Sequence, residues 1–265
     1  MRKQLLAAAV TASLVLAAPA KADEELNFDA YREMLADGNP AELYEMEGEE
    51  LWRTARGPKN ATLEQCDLGL GPGVVEGAAA QLPRYFEDTG KVQDLESRLV
   101  TCMETLQGIA SAEIVEGRFL QGERGKVAAL VAYVVTHSKG KPIAVDVSHP
   151  KVKEMYELGE KAFFYRTGAM DFSCASCHGE DGKRIRATHL PNITKAEGAA
   201  AGWGSWPAYR VSNSQFWTMQ HRLWDCFRQQ RTAEPVFGSD VTIALSVFMA
   251  GKGNGGEAVW PGVKR

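Results

Sequence analysis

The chain has 265 residues, in which 30 Lys and Arg stand against 34 Asp and Glu, so its formal net charge is −4. A nucleic acid is a poor partner for such an acidic chain, and an anionic substrate would need a local cluster of cations working against the overall field. Beyond the first residues no stretch approaches the roughly 18 continuous apolar residues of a membrane span, so we expect none.

The N-terminal residues 1–22 are predicted to be a secretory signal peptide. Arg2 and Lys3 precede an apolar run, and Ala20-Lys21-Ala22 supplies an A-x-A cleavage pattern. Removing this leader leaves 27 basic residues against 34 acidic ones, a net charge of −7. The remaining chain is therefore expected to be exported and to form two domains of modest size.

Helical periodicity is visible near the end of each half of the chain. The segment 122–137 places apolar residues near the 3.6-residue period, which predicts a helix. The segment 241–250 behaves similarly and runs into Gly251-Lys252-Gly253, a sequence that ends helices. Strand signals are sparse, so a mainly α fold is expected. The turn-rich segment 140–152 is the expected linker between the halves.

Three pairs of segments repeat in the same order along the chain. The pairs are 82–102 with 206–226, 47–57 with 158–168, and 129–140 with 242–253. The first pair aligns without a gap at an offset of 124 residues, so that Cys102 falls on Cys226. We interpret the repeat as an internal duplication, which gives two tandem domains at 23–145 and 146–265.

Cys174, Cys177 and His178 form the sequence C-x-x-C-H, the attachment signature of a c-type haem. The two thiols bind the porphyrin from one turn, and the adjacent imidazole then reaches the iron as an axial ligand. We therefore expect one covalently bound haem c in the second domain. This motif and the signal peptide together predict a periplasmic location.

The first domain is predicted to lack haem. Opposite the motif it offers Cys66-Asp67-Leu68-Gly69-Leu70, in which Gly69 and Leu70 replace the second cysteine and the histidine. Cys66 and Cys102 are interpreted as a disulfide, which would contribute about 2–4 kcal/mol; two free thiols are the alternative. The expected architecture is thus mainly α, with two tandem cytochrome c-like domains, the first without haem.

Cys226 is the remaining thiol and the candidate for the second axial ligand. A thiolate donates charge to iron and lowers its potential, which suits catalysis better than electron shuttling. Arg222 lies four residues earlier, so the two side chains share one face of a helix. Its guanidinium also favours the thiolate form of the cysteine.

Two alternatives to this assignment stay open. In the first, Cys226 is a buried and inert residue, since free cysteine packs as a small hydrophobe. In the second, the protein is a plain electron-transfer cytochrome that uses a downstream methionine as its other ligand. The candidates for that ligand are Met219 and Met249, followed by His189 and His221.

The chain resembles the SoxA family, the SoxA subunits of SoxAX cytochromes. The resemblance rests on "SCASCHG", "HRLWDCFRQQR" and "LPRYFEDTGKVQDLESRLVTC", and it covers essentially the whole chain after the leader. It implies L-cysteine S-thiosulfotransferase activity, in which thiosulfate is joined oxidatively to a cysteine of the carrier SoxYZ. It also implies the small SoxX haem subunit as partner and a cytochrome c as electron acceptor.

The resemblance also implies roles for particular residues. Cys174 and Cys177 would attach the haem, His178 and Cys226 would be its axial ligands, and Arg222 would bind substrate. Cys226 would in addition be the catalytic residue that carries a persulfide intermediate. Because Gly69 and Leu70 depart from the members with a second haem, the chain resembles the single-haem type.

Overall fold

A computed structural model describes residues 38–185 and 188–264. The predicted signal peptide lies outside these described residues. Within them, no helix combines the length and the apolar character that crossing a membrane requires.

The described chain is mainly helical, as predicted. Its first half contains α1 (Ala41–Arg53), α2 (Leu95–Cys102), α3 (Ser111–Val115) and α4 (Gly122–Thr136). Its second half contains α5 (Pro150–Phe164), α6 (Cys174–His178), α7 (Ala196–Trp203), α8 (Met219–Gln229) and α9 (Asp240–Lys252). Short helical turns of other types occur at Ala79–Gln81, Met103–Gln107 and Val211–Asn213.

The strands are two or three residues long and form small antiparallel pairs. They are β1 (Arg84–Phe86), β2 (Lys91–Gln93), β3 (Arg184–Ile185), β4 (Thr188–His189), β5 (Ala208–Arg210), β6 (Gln215–Trp217) and β7 (Gly262–Lys264). β1 pairs with β2, β3 with β4 and β5 with β6, while β7 adds to β5 in parallel. Tyr85 faces Val92 in the first pair, and Tyr209 faces Phe216 in the third.

The two helices predicted from periodicity are confirmed as α4 and α9. The predicted linker 140–152 is too long at its C-terminal end, because α5 begins at Pro150. Proline suits the first helical position, where no backbone N–H is needed and φ is already helical. The ring Nδ1 of His149 accepts a hydrogen bond from the Lys151 N–H at 3.3 Å and caps the helix. The turn-rich segment therefore ends at His149.

α1 packs against α4, and α5 packs against α9, through one glycine in each pair. A Cβ added to Gly48 would lie 2.1 Å from the carbonyl oxygen of Ala129, and one added to Gly159 would lie 2.0 Å from that of Ala244. Only glycine allows backbones to approach this closely. These matching contacts set Ala129 opposite Ala244. The sequence alignment, which set Ala129 opposite Thr242, was wrong by two residues.

The middle segments of the two halves repeat the same elements at the predicted offset. β1, β2 and α2 in the first half correspond to β5, β6 and α8 in the second. The helix caps also correspond. The Asp94 side chain accepts from the Ser97 N–H at the start of α2, and the Thr218 hydroxyl accepts from the His221 N–H at the start of α8. The alignment of 82–102 with 206–226 is therefore also a structural one.

The loops that follow α1 and α5 continue the register predicted for 47–57 with 158–168. Arg56 pairs with Ala61 in an isolated bridge, and Thr167 pairs with Phe172 in the equivalent bridge. Each enclosed turn holds one polar non-glycine residue with positive φ, 45° in the first loop and 49° in the second. The two loops thus superimpose in register without a gap.

Continuing this register changes which residues stand opposite the haem motif. Leu63, Cys66 and Asp67 fall on Cys174, Cys177 and His178. The predicted correspondence of Gly69 and Leu70 with the second cysteine and the histidine was therefore wrong by three positions, because short loops leave no long sequence match to fix their alignment. The retained cysteine of the first half occupies the place of Cys177.

The predicted disulfide between Cys66 and Cys102 is present, with the two Cα atoms 5.5 Å apart. It joins the first loop to the end of α2 across 36 residues of sequence. The two side chains are 1% and 3% exposed, so the bond lies in the core. Because Cys102 corresponds to Cys226, this bond occupies the place that Cys177 and Cys226 take in the second half.

The two halves share one continuous core and meet at the beginnings of α2 and α8. Glu96 Oε1 accepts a hydrogen bond from the Gln220 backbone N–H at 2.8 Å, and Gln220 Nε2 donates to Asp94 Oδ2 at 2.6 Å. A carboxyl group at a helix N-terminus satisfies an otherwise unpaired N–H group. The first half thereby fixes the start of α8.

Candidate functional site

The C-x-x-C-H motif forms a single helical turn, α6. The Ser173 N–H donates to Ser176 Oγ at 3.0 Å, which stabilises the beginning of this turn. His178 Nδ1 lies 2.9 Å from the carbonyl oxygen of Pro191. A carbonyl can only accept, so Nδ1 carries the proton and Nε2 keeps its lone pair. The imidazole is therefore oriented as metal-binding histidines usually are.

Cys226 lies on α8, close to the cysteines of α6. Burial raises the pKa of its thiol, the Arg222 guanidinium acts most strongly in the opposite direction, and Cys177 adds to the rise. Burial also raises the pKa of Cys174, to about 12, with Cys226 as the next cause. These mutual effects mean that the three thiols lie close together. The structure thus gathers Cys174, Cys177 and Cys226 around one site.

His178 and Arg222 belong to the same site. Burial lowers the pKa of the His178 imidazole, and Arg222 acts in the same direction. Both effects favour the neutral imidazole, the form that coordinates a metal. Arg222 and Cys226 lie one turn apart on α8, as the sequence predicts.

The residues of this site fit a c-type haem. Two thiols and an imidazole belong to one turn, and a third thiol lies near them on another helix. Every residue of α6 is half-buried in the chain itself, whereas Cys66 and Cys102 of the first half are fully buried. Sulfur and imidazole nitrogen are established axial ligands of haem iron.

A cluster of charges surrounds Asp225, the residue next to Cys226. Its carboxylate is buried and lies 3.2 Å from Arg222 Nη1, 2.7 Å from Arg228 Nη2 and 4.0 Å from Arg210 Nη1. Gln229 Nε2 also donates to it, at 2.6 Å. One carboxylate therefore compensates three guanidinium groups, which leaves the surroundings of Cys226 positive.

Two of these arginines are held on aromatic rings. The Arg222 guanidinium carbon lies 5.5 Å from the centre of the Trp206 ring, and that of Arg210 lies 4.5 Å from the centre of the Trp217 ring. Burial lowers the pKa of Arg210, and the neighbouring Arg222 is the next cause. Stacking fixes a guanidinium while leaving its N–H edge free to bind an anion.

Sequence reasoning missed Arg210 and Asp225. Asp225 could have been noticed because it adjoins Cys226 and follows Arg222 by three residues. Arg210 could have been found from the repeat, since the alignment sets it opposite Phe86. An arginine in place of an aromatic residue, in the half that carries the haem motif, is the signal.

The other possible axial ligands lie elsewhere. Met219 is buried in the first turn of α8, Met249 is half-buried on α9, and His189 is exposed on β4. His221 stacks on two aromatic rings, those of Phe119 and Trp217, with centroids 4.2 and 4.0 Å away. Of the sequence candidates, Cys226 is the one that shares an electrostatic environment with the motif cysteines.

The helical fold and the C-x-x-C-H turn define a c-type cytochrome. The sequence profile described as "SoxA/TsdA, cytochrome c domain" matches residues 47–143, the half that lacks the motif.

Comparison with known proteins identifies the family. The L-cysteine S-thiosulfotransferase subunit SoxA of Hydrogenophilus thermoluteolus is 68% identical over 94% of this chain and 89% of its own length. The subunit of that name from Hydrogenobacter thermophilus is 35% identical over 85% of this chain and 82% of its own. The crystal structure of SoxXA from P. pantotrophus superimposes with a TM-score of 0.74 and 25% identity, covering 89% of this chain and 84% of that one. The chain belongs to the SoxA family of L-cysteine S-thiosulfotransferase subunits.

Proposed function

We propose that this protein is the haem-bearing subunit of a periplasmic enzyme that joins thiosulfate oxidatively to a cysteine thiol of a carrier, SoxYZ. SoxX is the proposed partner subunit and a cytochrome c the electron acceptor. The observation that carries the proposal is the position of Cys226, which is close both to the cysteines of the haem-attachment turn and to a cluster of arginines. A cytochrome that only shuttles electrons has no need of an arginine cluster beside a thiol.

The reaction forms one S–S bond between the outer sulfur of thiosulfate and the cysteine sulfur. The thiol loses its proton, and two electrons must leave the two sulfur atoms. When bound, the haem supplies the means to accept electrons one at a time. The proposed role of Cys226 is to carry a persulfide whose outer sulfur forms an S–S bond to the outer sulfur of thiosulfate, as two electrons leave to cytochrome c. The carrier thiolate then attacks the thiosulfate sulfur of this adduct, and the Cys226 persulfide is the leaving group.

The proposed haem ligands are those of the sequence analysis. Cys174 and Cys177 would hold the macrocycle through their sulfur atoms, and His178 and Cys226 would be ligands of its iron. The hydrogen bond from His178 Nδ1 to the Pro191 carbonyl supports this role, because it turns Nε2 toward a metal. The Cys226 side chain has a second task here, since the same sulfur is the proposed nucleophile.

Arg222 is the proposed substrate-binding residue. Thiosulfate is a dianion and the chain is acidic, so a site that binds thiosulfate needs local positive charge. Arg222 is stacked on Trp206 and ion-paired with Asp225, which fixes its guanidinium one helical turn from Cys226. A fixed guanidinium fork can bind two sulfonate oxygens at once and orient the outer sulfur toward the cysteine.

We further propose a single haem and two tandem cytochrome c-like domains, at 23–145 and 146–265. The matching order of β1, β2 and α2 with β5, β6 and α8 supports the duplication. Leu63 and Asp67 at the places of a cysteine and the histidine support a first domain without haem. The disulfide then takes over the cross-linking of that domain.

The test is the mass of the carrier after reaction. The holoprotein is incubated with its carrier thiol, thiosulfate and an oxidised cytochrome c, and the carrier is examined by intact-mass spectrometry. A thiosulfonate adduct on the carrier cysteine, formed together with reduced cytochrome c, is expected. Reduction of cytochrome c without an adduct would instead support a plain electron-transfer cytochrome.

A further inference from the structure

Arg210 and Arg222 come from different elements and meet beside Cys226. Arg210 ends β5, whereas Arg222 lies in the second turn of α8. Each is stacked on its own tryptophan ring, Trp217 and Trp206 respectively. The two guanidinium groups are therefore held at a fixed spacing, with like charges close enough for Arg222 to disfavour the charge on Arg210. The Asp225 carboxylate, 4.0 Å from Arg210 and 3.2 Å from Arg222, offsets only part of this repulsion, because Arg228 shares the same carboxylate.

The first half of the chain shows what the same positions look like without this pair. There the residue equivalent to Arg222 is Arg98, which donates through Nη1 to both carboxylate oxygens of Asp88 at 2.9 and 2.8 Å. Its guanidinium also stacks on Phe86, 4.0 Å from the ring centre. In the second half, Ser212 stands in place of Asp88 and Arg210 in place of Phe86. The half with the haem motif has gained a second cation, Arg210, while the acid that pairs with Arg222 has moved from the position of Asp88 to Asp225, where it is shared with Arg210 and Arg228.

The remaining charge around these arginines is positive. Among the described residues, the acid that pairs with them is Asp225, and Arg228 competes for the same carboxylate. The Arg210 Nε–H is buried and has no hydrogen-bond partner within the protein. Buried donors are normally satisfied, so the Arg210 guanidinium is incompletely paired within the protein.

We propose that Arg210 and Arg222 together form a two-point binding site for the sulfonate group of thiosulfate, beside Cys226. The chemical class that this site accepts is a tetrahedral oxyanion carrying two negative charges. The guanidinium groups of Arg210 and Arg222 bind different oxygens of the anion, which leaves the outer sulfur of thiosulfate toward Cys226. The identity of the substrate rests on the proposed function, whereas the oxyanion site itself does not.

Sulfate is a suitable probe, because it is a dianion of the right shape that cannot be oxidised. Its affinity for the holoprotein is measured as the rise in the unfolding temperature with sulfate concentration, at constant ionic strength set with chloride. Its inhibition constant against thiosulfate is measured in steady-state turnover. Arg210→Gln is expected to weaken the binding of sulfate by about 10- to 100-fold and to raise the KM for thiosulfate by the same factor. This is the range for the loss of one hydrogen bond to a charged group. The kcat should change less.

Two further variants keep the test decisive. Arg210→Lys retains the positive charge but not the planar guanidinium, so its affinity for sulfate should lie between those of the wild type and Arg210→Gln. If the glutamine variant does not fold, the lysine variant provides the test. Arg53→Gln removes one exposed cation of α1 that pairs with Glu49, and it should leave sulfate affinity unchanged. This control separates a local site from the effect of overall charge.

Each possible outcome is informative. If Arg210→Gln binds sulfate within twofold of wild type, the two-point site is overturned. A shifted haem spectrum or reduction potential with unchanged sulfate binding would likewise overturn it and assign Arg210 to a haem carboxylate. If sulfate binding depends on Arg210 but no thiosulfonate adduct forms on the carrier, the oxyanion site stands and the proposed function fails.

Discussion

Glu96 in the first half accepts a hydrogen bond from the backbone N–H of Gln220 at 2.8 Å, at the start of the helix that carries Arg222 and Cys226. Its carboxyl group is 4% exposed, and its other oxygen, Oε2, has no hydrogen-bond partner in the structure. The half of the chain without a haem motif therefore anchors the helix that supplies the thiol. The site depends on a buried acid that lies outside it.

Protein stability should fall as the pH rises toward 8. Burial raises the pKa of Glu96 from 4.5 to about 8, and the Asp94 carboxylate adds to the rise. Because the folded-state pKa is the higher one, the contribution is complete below about pH 4.5 and is lost as the pH passes about 8. The free energy of unfolding should fall by about 1 kcal/mol per pH unit in this range.

Urea denaturation of the holoprotein across this pH range measures the effect. Glu96→Gln keeps the acceptor oxygen without the ionisation and should flatten the curve; parallel curves would contradict the assignment.

Gly159→Ala should strongly destabilise the second half. The new Cβ would lie 2.0 Å from the Ala244 carbonyl oxygen, so α5 and α9 would have to separate. The expected loss in the free energy of unfolding is about 1–3 kcal/mol or more, measured by chemical denaturation. Gly38→Ala is the matched control, because nothing lies within 4 Å of its added Cβ. Equal stability of the two variants would show that the helices can move apart at little cost.

The disulfide between Cys66 and Cys102 should be formed in the isolated protein and should stabilise it. Peptide mapping without reduction is expected to recover the two cysteines as one cross-linked pair. Replacing both with alanine should lower the free energy of unfolding by about 2–4 kcal/mol, because the unfolded chain gains freedom. Wild-type protein treated with a reductant should approach the variant. Recovery of either cysteine as a free thiol from oxidised protein would contradict the prediction.

Cys226→Met should separate iron ligation from sulfur chemistry. Methionine can keep a six-coordinate haem but cannot form a persulfide. We expect covalent haem still held by Cys174 and Cys177, a spectrum shifted away from thiolate ligation, and little or no thiosulfonate formation on the carrier. Met249→Leu is the control and should leave the optical spectrum unchanged. Near wild-type activity of Cys226→Met would show that another residue is the nucleophile.

The sequence alone determined those features of the protein that lie within one helical turn or in one repeat. Cys174, Cys177 and His178 are close because they are neighbours in the chain, and Arg222 and Cys226 because they are four residues apart on a helix. The pairing of Cys66 with Cys102 followed from a cysteine count and from the repeat. These relationships depend on local geometry, which the spacing of residues already fixes.

Only the tertiary structure decided which residues from separate elements meet. Arg210 reaches the surroundings of Cys226 because its guanidinium comes within 4.0 Å of the Asp225 carboxylate on α8, and Glu96 reaches Gln220 because the two halves join there. The register of the loop at Cys66 was likewise set by backbone bridges rather than by side-chain identity. Such contacts depend on the packing of elements that are distant in the chain. No local sequence pattern encodes that packing, because the same pattern of helices and strands is compatible with many different neighbours.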